Sequence, residues 1–149
     1  MWRAIEKYGV IFIRYYMGGF NLISGLNYFL LFWPQPRITQ STGNDYVMIS
    51  VELGLFQFAK VLEIIGGASL LFNRFVPLGL VILMPVTVNI FLINAPWSPL
   101  PHIVYSTTRN FVFHCILLAA YANYFYPMLK MRAAPQPVWR DVSRIWKSF

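Results

Sequence analysis

Apolar residues in this chain are concentrated in four segments, each about as long as a membrane-spanning helix. The segments cover residues 8–33, 47–72, 75–93 and 109–129, and a helix needs roughly 20 mostly apolar residues to cross a bilayer. Prolines follow the first and third segments, and proline cannot continue a helical hydrogen-bond ladder. The pattern predicts an all-α integral membrane protein, an antiparallel four-helix bundle, over residues 1–132.

The second segment carries three charged residues within its apolar run, Glu52, Lys60 and Glu63. A charge in hydrocarbon costs several kcal/mol unless it is paired or faces a wet interior. We therefore predict that residues 47–72 form one helix that the other three helices surround.

Residues 133–149 form a basic tail in which apolar side chains recur at helical spacing and charged side chains fill the other face. This pattern is typical of an amphipathic helix that lies in the headgroup plane. A frayed tail with chance periodicity is the alternative. The residues predicted to meet the membrane surface are Trp139, Arg140, Arg144, Trp146 and Lys147.

The composition agrees with a membrane protein. Hydrophobic residues make up 58% of the chain and charged residues 11%, whereas about a quarter of the residues of a soluble domain are charged. The net charge of +7 would indicate nucleic acid in a soluble protein. Here the basic residues lie mostly outside the apolar segments, which favours contact with anionic lipid and no nucleic-acid partner.

The basic residues also predict the orientation of the chain. Four spans place both termini and the turn at 73–74 on one side, together with eight basic residues, and leave Arg37 and Arg109 on the other. The positive-inside rule then puts both termini in the cytoplasm. The single cysteine, Cys115, rules out a disulfide within the chain, and its apolar neighbours predict an inert thiol packed in the interior.

Depth along the predicted helices indicates which polar groups meet. Arg14 and Glu63 fall at similar depths from the cytoplasmic side, so they are predicted to form a buried ion pair. Near the midplane, Asn21, Lys60, Asn89 and His114 are the candidate ligand-binding residues.

Two interpretations of these polar residues remain open. They are either satisfied pairs that fix the order of the helices, or the lining of a cavity for a small polar or quinone-like headgroup. Asn110 shares the face of His114 on the fourth segment. No cluster of His and Cys residues is present in the sequence, so no metal site is predicted.

Four stretches together resemble DoxX-like membrane proteins: GLNYFL at 25–30, KVLEIIGG at 60–67, NRFVPL at 73–78 and PVTVNI at 85–90. The resemblance covers about residues 14–126 and implies a four-helix protein of the bacterial inner membrane. By this similarity Arg14, Asn27, Glu63 and Asn89 would be the polar positions typical of the family. Where relatives often carry histidine, this chain has Leu31 and Asn94.

Some DoxX-like proteins are subunits of thiosulfate:quinone oxidoreductase, and the resemblance implies two roles. The expected role is a non-catalytic accessory or scaffold subunit that packs against other membrane proteins or against itself. The alternative is a quinone-linked redox subunit that holds a quinone headgroup in its polar layer. A small-solute transporter is less favoured, because the sequence shows no internal repeats.

Overall fold

The structure of the protein, a computed structural model, describes residues 2–33, 42–96 and 98–126. Of these residues 86% are helical and none is in a strand, which confirms the predicted all-α class. The helices are α1 (Trp2–Leu30), α2 (Thr42–Glu52), α3 (Leu55–Leu71), α4 (Val76–Asn94), α5 (Pro101–Ala120) and the short α6 (Ala122–Phe125). The predicted tail helix, including Trp139, Arg140, Arg144, Trp146 and Lys147, lies outside the described residues.

The predicted helix over residues 47–72 is divided in two. Gly54 has a φ of 77°, a left-handed conformation that glycine adopts at little cost and that commonly ends a helix. The Gly54 amide donates to the Val51 carbonyl oxygen at 3.1 Å, and α3 then begins at Leu55. The prediction of one continuous helix was therefore wrong at this point.

The start of the predicted fourth helix also needs correction. The proline-rich residues 94–108 were predicted to be a loop between the third and fourth helices, but α5 begins at Pro101. Proline suits the first position of a helix, where its missing N–H group has no partner to lose. Leu100 before it is extended, with φ −104° and ψ 109°. The third predicted helix, 75–93, agrees with α4 to within one residue at each end.

The four long helices pack side by side in a ring, in the order α1, α3, α4, α5 and back to α1. A Cβ added to Gly18 would lie 2.8 Å from the Leu71 amide nitrogen, and one added to Gly25 would lie 2.8 Å from the Lys60 carbonyl oxygen. These contacts show that α1 and α3 run in opposite directions with their backbones in close contact. The fully or nearly buried apolar core consists of Met17, Leu70, Val76, Leu80, Leu83 and Leu117.

The residues at the two ends of the helical ring can be identified from contacts between the helices. Arg14 of α1 donates a hydrogen bond to the side-chain oxygen of Asn73 in the turn between α3 and α4. At the opposite end, α1 stops at Leu30, five residues after Gly25, and Gly54 lies six residues before Lys60. Since Gly25 faces Lys60, the break at Gly54 falls at about the level where α1 ends.

Large apolar side chains are exposed on each of the long helices. Phe12 is 64% exposed on α1, Phe58 61% on α3 and Leu78 56% on α4. Cys115 of α5 is also exposed, which corrects the prediction that its thiol is packed inside. Helices α4 and α5 are long and apolar enough to cross a membrane by length and composition. The predicted membrane class is thus supported for two of the four helices.

Candidate functional site

A cavity of about 140 Å³ lies between the four long helices. Seven of the ten residues that line it are polar, although the helices that form it are mostly apolar. The polar lining residues are Asn21 and Ser24 of α1, Glu63 of α3, Thr87 of α4, and Ser106, Thr107 and Asn110 of α5. Two further lining residues, Phe20 and Ile90, are 43% and 39% exposed, so the cavity approaches the outer surface beside them.

An ion pair between Lys60 and Glu63 borders the cavity. The Lys60 ammonium lies 2.9 Å from Oε1 of Glu63 and 2.8 Å from Oε2, and it also donates to the Ser24 hydroxyl at 3.0 Å. The Lys60 side chain is 13% exposed and that of Glu63 3%. The two residues are three positions apart on α3, which places their side chains on one face. The charge of the buried carboxylate is therefore balanced within its own helix.

The predicted pairing of Arg14 with Glu63 is corrected. Arg14 is buried, but its guanidinium donates to Asn73 and lies 4.9 Å from the centre of the Tyr15 ring. The register of α1 against α3 explains the difference, because Gly18 is opposite Leu71 and Arg14 is one turn further towards the α3–α4 turn. Glu63 lies more than two turns away along α3.

His114 is buried and bridges α5 to α4. Its Nε2 lies 3.2 Å from the Leu80 carbonyl oxygen, and its Nδ1 lies 3.0 Å from the Thr87 hydroxyl. A carbonyl oxygen only accepts hydrogen bonds, so Nε2 carries the hydrogen and the neutral imidazole accepts from Thr87 at Nδ1. His114 thus reaches the cavity through Thr87.

The two asparagines predicted in the polar layer have different surroundings. Asn21 is buried, lines the cavity and donates to the Met17 carbonyl oxygen at 2.8 Å. Asn89 is exposed and donates to the Tyr46 hydroxyl at 3.1 Å. Its prediction as a cavity residue was wrong because it follows Thr87 by two positions, about 200° around the helix, and Thr87 faces inward.

Of the predicted ligand-binding residues, only Asn21 lines the cavity among the described residues. Lys60 contacts it through Glu63, and His114 through Thr87, whereas Asn89 lies outside it. Four lining residues with hydroxyl groups were not predicted: Ser24, Thr87, Ser106 and Thr107. Hydroxyl side chains in helices commonly bond to the backbone of the preceding turn, so their presence does not indicate a site. Asn110 shares its predicted face with His114 and lines the cavity. Its side-chain oxygen is buried and has no hydrogen-bond partner in the described part of the chain.

Within residues 2–33, 42–96 and 98–126, no group of three or more His, Cys, Asp and Glu side chains could hold a metal ion. The chemistry available at the cavity is that of hydrogen bonds and one ion pair. Asparagine, serine and threonine side chains recognise polar groups by hydrogen bonding, and they supply no redox centre of their own.

Comparisons of this chain with protein-family models, with curated proteins and with solved structures find no match. The function is therefore inferred from the distribution of polar and apolar side chains described above.

Proposed function

We propose that this chain is a multi-pass integral membrane protein of the DoxX-like kind, with an antiparallel four-helix bundle in the bilayer. We further propose that it acts as a non-catalytic accessory or scaffold subunit in the bacterial inner membrane, with both termini in the cytoplasm. The observation that carries the proposal is the combination of an apolar outer surface with polar and charged side chains buried inside.

The outer surface favours lipid or a partner protein over water. Large apolar side chains such as Phe12, Phe58 and Leu78 are more than half exposed on three different helices. Buried residues include seven that are polar or charged: Arg14, Asn21, Ser50, Glu63, Thr87, Thr107 and His114. In a bilayer the polar groups must be satisfied inside the protein, because the surrounding hydrocarbon offers them no partner.

The length of the helical ring also fits a bilayer. Helices α4 and α5 have 19 and 20 residues, which is about 28–30 Å at 1.5 Å per residue. The hydrocarbon core is about 30 Å thick. The break at Gly54 lies at the level where α1 ends, so its freed backbone groups would meet the headgroup region and not the hydrocarbon.

Membrane integration is tested by expressing the full chain and washing the membranes with alkaline carbonate. We expect the protein to stay in the membrane pellet and to be released only by detergent, as an integral protein is. Recovery of folded protein in the carbonate supernatant would refute a multi-pass insertion. A peripheral protein bound through ionic contacts, washed in parallel, provides the control.

The accessory role is tested by purification in a mild detergent, followed by identification of co-migrating subunits. We expect a complex larger than one chain, held together through the exposed apolar faces of the helices. A protein that migrates as a single chain in every mild detergent, and in lipid nanodiscs, would contradict the scaffold role while leaving membrane integration intact.

The second candidate is a quinone-linked redox subunit, and it is favoured by the polar cavity that approaches the surface beside Phe20 and Ile90. A quinone could place its ring in this cavity and extend its tail past these two residues into the lipid. Organic extraction of the purified protein should then yield a quinone in near-stoichiometric amount. Its consistent absence from protein purified with native lipid would reject this candidate.

A further inference from the structure

Two side chains that line the cavity, Asn110 and Glu63, have acceptor positions that no described residue fills. The side-chain oxygen of Asn110 is buried and has no partner in the described part of the chain. Each carboxylate oxygen of Glu63 accepts from the Lys60 ammonium, but an ionised carboxylate offers about four acceptor positions in total. Both residues line the cavity, so acceptor positions remain for a molecule inside it.

Thr87 adds to this acceptor character. Since Nε2 of His114 carries the hydrogen that reaches the Leu80 carbonyl oxygen at 3.2 Å, Nδ1 accepts, and the Thr87 hydroxyl donates to it at 3.0 Å. The one hydroxyl hydrogen of Thr87 is then occupied, and only its lone pairs are available to the cavity. A molecule that pairs with the acceptors of Asn110, Glu63 and Thr87 must therefore supply a hydrogen-bond donor.

The charge balance excludes a cationic donor. The Lys60 ammonium is 2.8 Å from Glu63 and neutralises its charge, so a second cation beside Glu63 would meet Lys60 at short range and be repelled. An anion would in turn meet the carboxylate of Glu63. The ligand that suits the cavity is therefore neutral.

The volume limits the size of the ligand. The cavity measures about 140 Å³, and an apolar cavity of about 150 Å³ in another protein accepts a benzene molecule. A single six-membered ring with its substituents thus fills the space. Phe20 and Ile90, which line the cavity and are exposed, would flank the ring and leave it a path to the surface.

We propose that this cavity binds a small neutral ring compound through a hydroxyl group, an alcohol or a phenol, whose O–H donates to the side-chain oxygen of Asn110. The proposal goes beyond the membrane role proposed above, because a scaffold subunit needs no ligand. It also separates hydroxyl-bearing rings from rings that carry only carbonyl groups, which cannot donate.

The test uses the full chain purified in detergent and 4-fluorophenol as a probe, observed by ¹⁹F NMR. Protein-free micelles of the same detergent give the background for partitioning of the probe. Cyclohexanol and cyclohexanone, which are nearly equal in size, then compete for the site. We expect cyclohexanol to displace the probe at a concentration about tenfold lower than cyclohexanone, in line with the loss of one hydrogen bond to a buried acceptor.

A matched pair of variants locates the binding site. Asn110→Leu should weaken binding of the probe about tenfold, because it removes the unpartnered acceptor with little change in volume. Asn89→Leu, at an exposed asparagine on α4, should leave binding unchanged. If Asn110→Leu does not fold, the comparison of alcohol with ketone on the unaltered protein still decides the question.

Three results would overturn the proposal: no binding beyond the micelle background, equal competition by the alcohol and the ketone, or equal binding by the two variants. A 4-alkylphenol and phenol itself distinguish the source of the ligand. Stronger competition by the 4-alkylphenol indicates a lipid-soluble molecule with its tail beside Phe20 or Ile90, and stronger competition by phenol indicates a free solute. These measurements do not depend on whether the carbonate or co-purification experiments succeed.

Discussion

Removing the charge of Lys60 should strongly destabilise the protein. In Lys60→Met the Glu63 carboxylate, whose side chain is 3% exposed, loses the donor that contacts both of its oxygens. No other described residue donates a hydrogen bond to it. Removing one partner of a buried ion pair typically costs about 3–5 kcal/mol, because the other charge stays buried without compensation.

The expected loss can be converted to a change in melting temperature. A chain of this size loses about 2–4 °C of Tm per kcal/mol, so Lys60→Met should melt about 6–20 °C lower than the unaltered protein. Thermal unfolding of the full chain, followed by circular dichroism in a single detergent, measures the difference. Glu52→Gln, at an exposed glutamate of α2, should change stability by less than about 0.5 kcal/mol.

The double variant Lys60→Met/Glu63→Leu tests the physical reason for this loss. Replacing both members of a buried pair by apolar side chains of similar size is often neutral or stabilising. We expect the double variant to be more stable than Lys60→Met alone. The loss in free energy of unfolding is compared with the losses in Lys60→Met and Glu63→Leu measured separately. If the double variant loses as much as the two single variants together, the side chains are not coupled, and the reasoning from an uncompensated charge is refuted.

Three further predictions use the same unfolding assay. Gly67→Ala should lower the free energy of unfolding by about 1–3 kcal/mol, because its Cβ would lie 2.5 Å from the Leu22 amide nitrogen. Gly19→Ala should be neutral or stabilising by up to about 1 kcal/mol, because its Cβ meets nothing within 4 Å. His114→Leu should lower the free energy of unfolding by about 1–3 kcal/mol, since it removes two hydrogen bonds between buried groups of α5 and α4. Gly54→Ala should cost about 1–2 kcal/mol, because alanine is strained at a φ of 77°.

Each of these predictions can fail on its own. Equal effects at Gly67 and Gly19 would contradict the close contact of α1 with α3. A His114→Leu variant as stable as the unaltered protein would mean that its two hydrogen bonds contribute nothing net. A stabilised Gly54→Ala variant would indicate a continuous helix through residues 52–55.

The helical class and the bounds of α4 were predictable from the sequence, because long apolar runs between polar turns have few other solutions. The break at Gly54 was not predictable, since one glycine in an apolar run is as compatible with a helix interior as with a left-handed turn. The start of α5 at Pro101 was misjudged for a related reason. Proline ends a helix that precedes it and begins a helix that follows it, and the sequence does not distinguish the two.

The helical phase of a polar residue decided whether its place in the site could be predicted. Lys60 and His114 were both assigned to the interior, and both border the cavity directly or through a neighbour. On α4, Thr87 and Asn89 face nearly opposite directions, and the more polar residue was the one that faces outward. The partner of Arg14 depended on the register between α1 and α3, which depth along a single helix does not determine.

The outward position of Cys115 has a practical consequence for placing this protein in its surroundings. It is the one thiol in the chain, and it is exposed on α5. A paramagnetic or fluorescent reagent that reacts with thiols would therefore modify each molecule at a single known atom, without any engineered position. Oxygen concentrates in hydrocarbon, whereas a nickel chelate stays in water. The ratio of the effects of these two quenchers on the label would then report the depth of the middle of α5 in the membrane.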